Sequence, residues 1–335
     1  MIATPTIDNY TIECIFDADV LKQMLNDDTI AKDDKKKLKQ LNASKKNHNT
    51  LADTYTWTNK EKIGRLYCNS IQGLPRDYRN GLLNNTCYEL DMKNAHYTFL
   101  SQIGKQYGLL TKEIDFYIEN REECLRKIHP NREVSKKMFL IAEYGGDIPD
   151  LLALSNECKN ILLRLKDEKQ YKYIYEYAEK QYKKKNNPYK SLLHSFGSFV
   201  LQTIENRCML AVLDFMKQQD GERAPQARII LHDGLILTKT DFLTKEAIKE
   251  IEDFVYDETE WRVCLDLKDC KSDYKPSKKD YVLIYNDEGA CNYLHSVYGD
   301  KIVRTGDDWY CHLPNTKFYS KGEDAVRVLI KKTNV

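Results

Sequence analysis

The segment Cys87–Leu100, CYELDMKNAHYTFL, decides how this chain is read. Tyr88, Leu90 and Met92 alternate with polar neighbours, the two-residue period of a half-buried strand. From Ala95 the apolar positions change spacing, and Phe99 and Leu100 follow at helical intervals. The segment is therefore a strand running into a helix, with Asp91 near the strand's end. Far downstream, residues 227–239 read ARIILHDGLILTK. Two short β-rich runs, Ile229–Leu231 and Leu235–Leu237, flank His232, Asp233 and Gly234, which predicts a hairpin with Asp233 at its tip.

Two aspartates on separate β elements are the arrangement that two-metal phosphoryl transfer requires, because a rigid sheet must bring both carboxylates to the same cations. The ordinary alternative for Asp233 is a turn residue, since Asp favours turns. Between the two aspartates, residues 131–146 (NREVSKKMFLIAEYGG) predict an amphipathic helix that stops at a glycine pair. Arg132, Lys136 and Tyr144 fall near one face of it, so two cations and a ring are presented together. Such cations can hold a triphosphate while the ring covers a base or sugar. A plain surface helix is the alternative.

Around this centre the chain divides into recognisable stretches. Residues 191–217 form a long apolar helix interrupted by Gln202, Glu205, Asn206 and Arg207, which need partners if buried and either line the template side or face solvent. Residues 244–256 predict a helix and 261–267 an edge strand. Residues 27–49 are Lys-rich and read as an exposed helix or a mobile connection. Residues 169–190 hold seven Lys, Lys183 and Lys184 among them, against two Glu, with six Tyr interleaved. Lysines for phosphates and rings for bases suit a single strand, although the same pattern also describes a packed helix. Arg65, Arg76 and Arg79 are candidates for primer or template phosphates, or for solubility. Residues 271–280 read as a linker, and 281–335 as a small accessory unit.

Composition sets the outer bounds. The 335 residues are 41% hydrophobic and 31% charged, as in a soluble globular protein. The net charge of +1 gives no global basic field, so any nucleic-acid contact must come from local patches. Ten cysteines without a CxxC pair signal neither a zinc ribbon nor a disulfide framework. No uncharged apolar run reaches membrane-spanning length and the start lacks a secretory signal, so an intracellular protein without a membrane partner is expected.

Taken together, the motifs resemble the family A DNA polymerase and single-subunit phage RNA polymerase superfamily. YELDMKNAHYTFL is similar to its motif A, Arg132–Gly146 to motif B and IILHDGLIL to motif C. The DxKNAH and HDG forms are most similar to the transposon-and-virus polymerase branch (TV-Pol), often joined to a poxvirus-type primase-helicase. The resemblance covers about residues 60–265. It implies an α+β right-hand polymerase: residues 61–270 as an antiparallel palm sheet carrying Asp91 and Asp233, with a helical fingers insertion at about 104–190. Residues 1–60 become a thumb-like or accessory region, and 281–335 a small C-terminal domain.

The same resemblance implies roles. Asp91 and Asp233 match the catalytic metal ligands, for two Mg²⁺ ions with Mn²⁺ as an alternative, and Lys136 the catalytic lysine that contacts the triphosphate and acts near the leaving group. Arg132 matches a second phosphate contact, Tyr144 with Gly145 the residues beside the nascent base pair, and His232 a residue near the primer terminus. Arg76, Arg79, Gln202, Lys183 and Lys184 are expected on primer or template. Three positions depart from the family: Phe139 sits three rather than four residues after Lys136, Gly234 replaces a third acidic residue, and His96 stands where DNA polymerases carry a glutamate against the 2′-hydroxyl. A bulky His96 favours deoxynucleotides.

The expected function is a DNA polymerase without proofreading, using DNA primer-template and dNTPs to replicate a virus or mobile element, with a replicative helicase as partner in trans. A primase or RNA polymerase starting chains de novo is the alternative within the enzyme class. An inactive nucleic-acid-binding scaffold is the alternative outside it.

Overall fold

The computed structural model describes residues 9–68, 70–185, 191–219 and 224–274, and three strands between 302 and 321. The chain divides into two compact units, Met1–Lys275 and Pro276–Val335. The first mixes helices with antiparallel sheets, as the sequence pattern predicts.

It opens with β1 (Asn9–Ile15), whose residues alternate between exposed and buried, then α1 (Ala18–Asn26) and α2 (Lys32–Ser44). Strands β2 (Thr50–Trp57) and β3 (Leu66–Tyr67) complete a three-stranded sheet of order β1-β2-β3. Of the two readings of residues 27–49, an exposed helix or a mobile connection, the structure has the helix, α2, with one face buried. Its lysines are solvated, but Leu38, Leu41 and the preceding Ile30 are buried in the core. The 1–60 region is thus built into the first unit.

After α3 (Arg76–Leu83) the chain enters β4 (Cys87–Met92), one of two inner strands of a four-stranded antiparallel sheet. Helix α4 (Ala95–Gln106) follows directly, entered through Asn94 in a left-handed conformation at φ 48°. Five helices come next: α5 (Lys112–Glu119), α6 (Arg121–Ile128), α7 (Arg132–Glu143), α8 (Leu152–Lys166) and α9 (Lys172–Lys185). They lead to the 27-residue α10 (Leu192–Gln218), which packs against α4, α8, α9 and β6. The predicted hairpin is β5 (Ala227–Ile230) and β6 (Gly234–Thr238). Helix α11 (Lys245–Thr259) and edge strand β7 (Leu265–Asp269) close the sheet in the order β5-β6-β4-β7.

This sheet has two unlike faces. Opposed residues of antiparallel strands point the same way, so Leu90, Leu235 and Leu267 share one face with Met92 and Leu265 and join the core. The other face carries Glu89, Asp91, Asp266 and Lys268. The two sheets of the unit are tied where Ile230 N donates to Tyr55 Oη at 3.1 Å and Arg228 Nη1 to the Glu13 carbonyl at 3.2 Å.

The tyrosine-rich segment and the start of the linker are both anchored. In α9 two of the tyrosines act as packing groups: Tyr175 sits edge-on to Phe196 with ring centroids 5.5 Å apart, and Tyr177 meets Phe199 at 5.0 Å. Rings held this way against α10 are not free to stack on bases, while residues 186–190 lie outside the described residues. The predicted linker begins docked: Ser272 Oγ donates to the Asp77 carbonyl at 2.6 Å and Tyr274 Oη to Asp27 Oδ2 at 3.0 Å. Its remainder, from 275 onward, is not among the described residues.

In the second unit, β8 (Ile302–Thr305), β9 (Asp308–His312) and β10 (Tyr319–Lys321) form an antiparallel sheet of order β10-β9-β8. The eight described cysteines are free thiols. Among the described residues no helix is long and apolar enough to cross a membrane.

Candidate active site

Hydrogen bonding between β4 and β6 brings the two motif aspartates side by side. Asp91 is opposite Gly234, the residue after Asp233, and Met92 N donates to the Asp233 carbonyl at 2.9 Å. Gly234 is dictated by this closeness: a Cβ there would stand 2.6 Å from the Leu90 carbonyl oxygen and 3.3 Å from Asp91 Cα. The site therefore has no room for a third acidic side chain at that position.

Both aspartates line one cleft of about 730 Å³, the size of a pocket for a substantial ligand. Burial raises the pKa of Asp91, and the negative charge of Asp233 adds to the rise against a hydrogen bond from Lys268. Burial also raises Asp233, with Glu205 contributing. Asp233 is open to water yet lines the cleft, where the surrounding protein limits solvation of its charge.

The opposite wall is α7 and its C-terminal turn. Asn131 caps the helix start by accepting from Glu133 N and Val134 N. At its end Gly145, at φ 78°, donates to the Ala142 carbonyl and Gly146 to that of Ile141, a Schellman stop. That turn seats Tyr144 on the cleft, and Gly145 serves it through backbone conformation. Lys136 lines the cleft and pairs with Glu133 at 2.7 Å. Phe139 is locked from behind, stacked on Tyr117 at 4.3 Å, while Leu140 and Ile141 present exposed apolar surface to the cleft.

Arg132 does not join them. It forms a two-pronged exposed pair with Glu122, at 3.1 and 2.6 Å, outside the cleft lining. Its place is taken by Arg121, at the start of α6, which lines the cleft and whose buried Nε has no protein hydrogen-bond partner. The helical spacing of Arg132 and Lys136 put the two cations on one face, but Glu122, ten residues back in sequence, draws Arg132 aside.

His96 is the centre of a buried ionic network. Its Nδ1 lies 2.7 Å from Glu143 Oε1, its Nε2 3.2 Å from Glu205 Oε1, and Tyr144 Oη 3.1 Å from Nδ1. Arg65 Nε in turn donates to Glu205 Oε2 at 2.6 Å. Burial opposes a charge on His96, but the two glutamates outweigh it and lift its pKa to about 10. Burial likewise opposes charge on Glu205, and His96 and Arg65 pull its pKa below the usual range. Two cations and two carboxylates thus balance, and the imidazole is a fixed, protonated part of the cleft wall. Gln202 also lines the cleft, its Nε2 donating to Ser198 Oγ at 2.9 Å.

The remaining expected residues lie elsewhere. Arg76 pairs with Glu89 at 3.1 Å on the surface of α3, whereas Arg79 is buried at 9% exposure, where burial lowers its pKa. His232 sits edge-on to Tyr67 at 5.3 Å, and burial holds its imidazole below the usual pKa. Lys183 and Lys184 are exposed on α9, Lys183 pairing with Glu179 at 3.2 Å.

The oxygen donors fit a hard divalent cation of the Mg²⁺ kind. Among the described residues no three His, Cys, Asp or Glu side chains form a ready-made cage. Mg²⁺ needs none, since it binds through one or two carboxylates plus water and substrate phosphates. A stand-in cation is already present, because the Lys268 ammonium lies 2.7 Å from Asp91 Oδ2.

No family model matches the chain. Over 241 residues it is 25% identical to the protein described as putative helicase V13 of Sputnik virophage, covering 66% of this chain and 30% of that protein. The chain thus spans less than a third of this relative. Among solved structures it is similar to the POL domain of Pol1 from M. smegmatis, in complex with DNA primer-template and dNTP. The TM-score is 0.41 and the identity 12%, over 71% of this chain and 51% of that one.

Proposed function

We propose that the chain is a template-directed nucleotidyltransferase, a DNA polymerase of the TV-Pol kind that extends a 3′-hydroxyl. The observation that carries this reading is the pairing of Asp91 with Gly234, which brings two carboxylates together in a cleft that Lys136 and Tyr144 also line.

Asp91 and Asp233 would hold the divalent cations. When bound there, these ions supply Lewis-acid activation of the attacking hydroxyl and charge neutralisation at the leaving pyrophosphate. Lys136 and Arg121 bind the triphosphate oxygens, Arg121 with a donor it does not use within the protein. Leu140 and Ile141 offer the apolar surface on which a base lies. His96, fixed by Glu143 and Glu205, and Tyr144 beside it form the wall nearest the sugar, a rigid bulk that favours deoxynucleotides. Similarity to part of a virophage protein described as a putative helicase supports virus or mobile-element replication, alongside a helicase, as the setting.

Extension of a labelled primer-template with Mg²⁺ and either dNTPs or NTPs tests the reading, beside an Asp233→Asn control. Extension with dNTPs that disappears in the variant is expected. Preference for NTPs would favour a primase, and template binding without extension a scaffold.

A further inference from the structure

Lys268 belongs to none of the motifs, yet it is bonded to the first of the two aspartates. It stands on edge strand β7 opposite Glu89, two residues from Asp266, which is itself opposite Asp91. Its ammonium donates to Asp91 Oδ2 at 2.7 Å and lies 3.5 Å from Asp266 Oδ2. Lys93 Nζ occupies the other side of Asp266, 3.4 Å from Oδ1. One ammonium is therefore shared between a carboxylate of the cleft and a neighbour on the edge strand.

We propose that Lys268 is a transferable counter-ion: it neutralises Asp91 in the cation-free protein and moves to Asp266 when a divalent cation binds at Asp91 and Asp233. The inference rests on the proposed function in taking Asp91 as a cation ligand. A divalent ion and the ammonium cannot comfortably share one carboxylate, because like charges would face each other across it. Lys268 need not become unpaired on leaving. Asp266 Oδ2 is already near, Lys93 engages the opposite oxygen, and a lysine stem at 40% exposure has freedom to swing. Without such a counter-ion, Asp91 and Asp233 would repel each other in the empty cleft. With it, cation affinity is held down by competition.

Binding of Mn²⁺ to the full-length protein, followed by the electron paramagnetic resonance signal of the free ion, tests this without reference to turnover. Lys268→Met should bind Mn²⁺ roughly five-fold more tightly than wild type, the scale of a half-exposed ion pair. Asp266→Asn, which removes the second docking point, should bind several-fold more weakly. In the Lys268→Met background the same Asp266 change should have little effect. Lys268→Arg keeps the ion pair and should retain wild-type affinity, and it preserves the comparison with Asp266→Asn if Lys268→Met does not fold.

Unchanged or weaker binding by Lys268→Met overturns the proposal and leaves the polymerase reading standing. So does an Asp266→Asn effect of equal size in both backgrounds, which would mean that Asp266 acts on the cation directly. If neither wild type nor Lys268→Met binds Mn²⁺, the proposed function fails with it.

Discussion

Replacing His96 with Gln removes the cation that two buried glutamates share, and the size and pH dependence of the loss follow from its pKa. An unfolded histidine titrates near 6.5, whereas His96 in the fold titrates at about 10. A raised folded pKa means that the stabilisation is fully present below about pH 6.5 and is lost as pH rises through 10. Each unit of difference corresponds to about 1.4 kcal/mol. At pH 7.5 the remaining gap gives about 3 kcal/mol, on the scale of the roughly 3–5 kcal/mol typical of breaking a buried ion pair. At pH 9.5 it has shrunk to about 1 kcal/mol. Urea unfolding of wild type and His96→Gln at the two pH values measures this directly. The gap between the proteins should close by about 2–3 kcal/mol, while thiols and tyrosines common to both cancel in the difference. A gap that stays constant from pH 7.5 to 9.5 would refute the assignment of His96 as a protonated member of the network.

Two further outcomes follow from the cleft. Lys136→Ala should lower kcat/KM for the incoming nucleotide by roughly ten- to a hundred-fold, the scale of a charged hydrogen bond, while Arg132→Ala should change it less than two-fold because Arg132 is engaged with Glu122 outside the cleft; steady-state kinetics on both variants decides this. Gly234→Ala should destabilise the fold by about 2 kcal/mol and reduce primer extension, because its Cβ meets the Leu90 backbone and must push β6 from β4; a denaturant midpoint equal to wild type would count against the tight strand contact.

The elements around the two aspartates were legible because local signals agree there. The switch from period two to helical spacing after Met92 appears as β4 and α4, and the runs flanking Asp233 appear as β5 and β6. Tertiary partners were not legible. Helical spacing correctly put Arg132 and Lys136 on one face of α7, but it carried no information about Glu122, which holds Arg132 outside the cleft. The alternating tyrosines of α9 have the composition of a base-stacking patch, and only the neighbouring Phe196 and Phe199 show Tyr175 and Tyr177 to be packing groups. His96 was noticed for its bulk, whereas its charge comes from Glu205 more than a hundred residues away.

Lys268 shows where sequence reading runs out. Its segment, Leu265–Asp269, alternates apolar and charged residues as any edge strand does, and nothing in it distinguishes a solvated lysine from one bonded to a carboxylate of the cleft. The distinction lies in register. Pairing of Asp91 with Asp266 places Lys268 and Asp266 on the same side of the sheet as the cleft aspartate. A slip of one residue would put Leu267 there and turn both charges toward the apolar face. The slip is resisted by Leu265 and Leu267, which pack with Leu90 and Met92 in the core. Burial of the leucines on one face thus fixes the position of the ammonium on the other, and the electrostatics at Asp91 follow from hydrophobic packing through the thickness of a single strand.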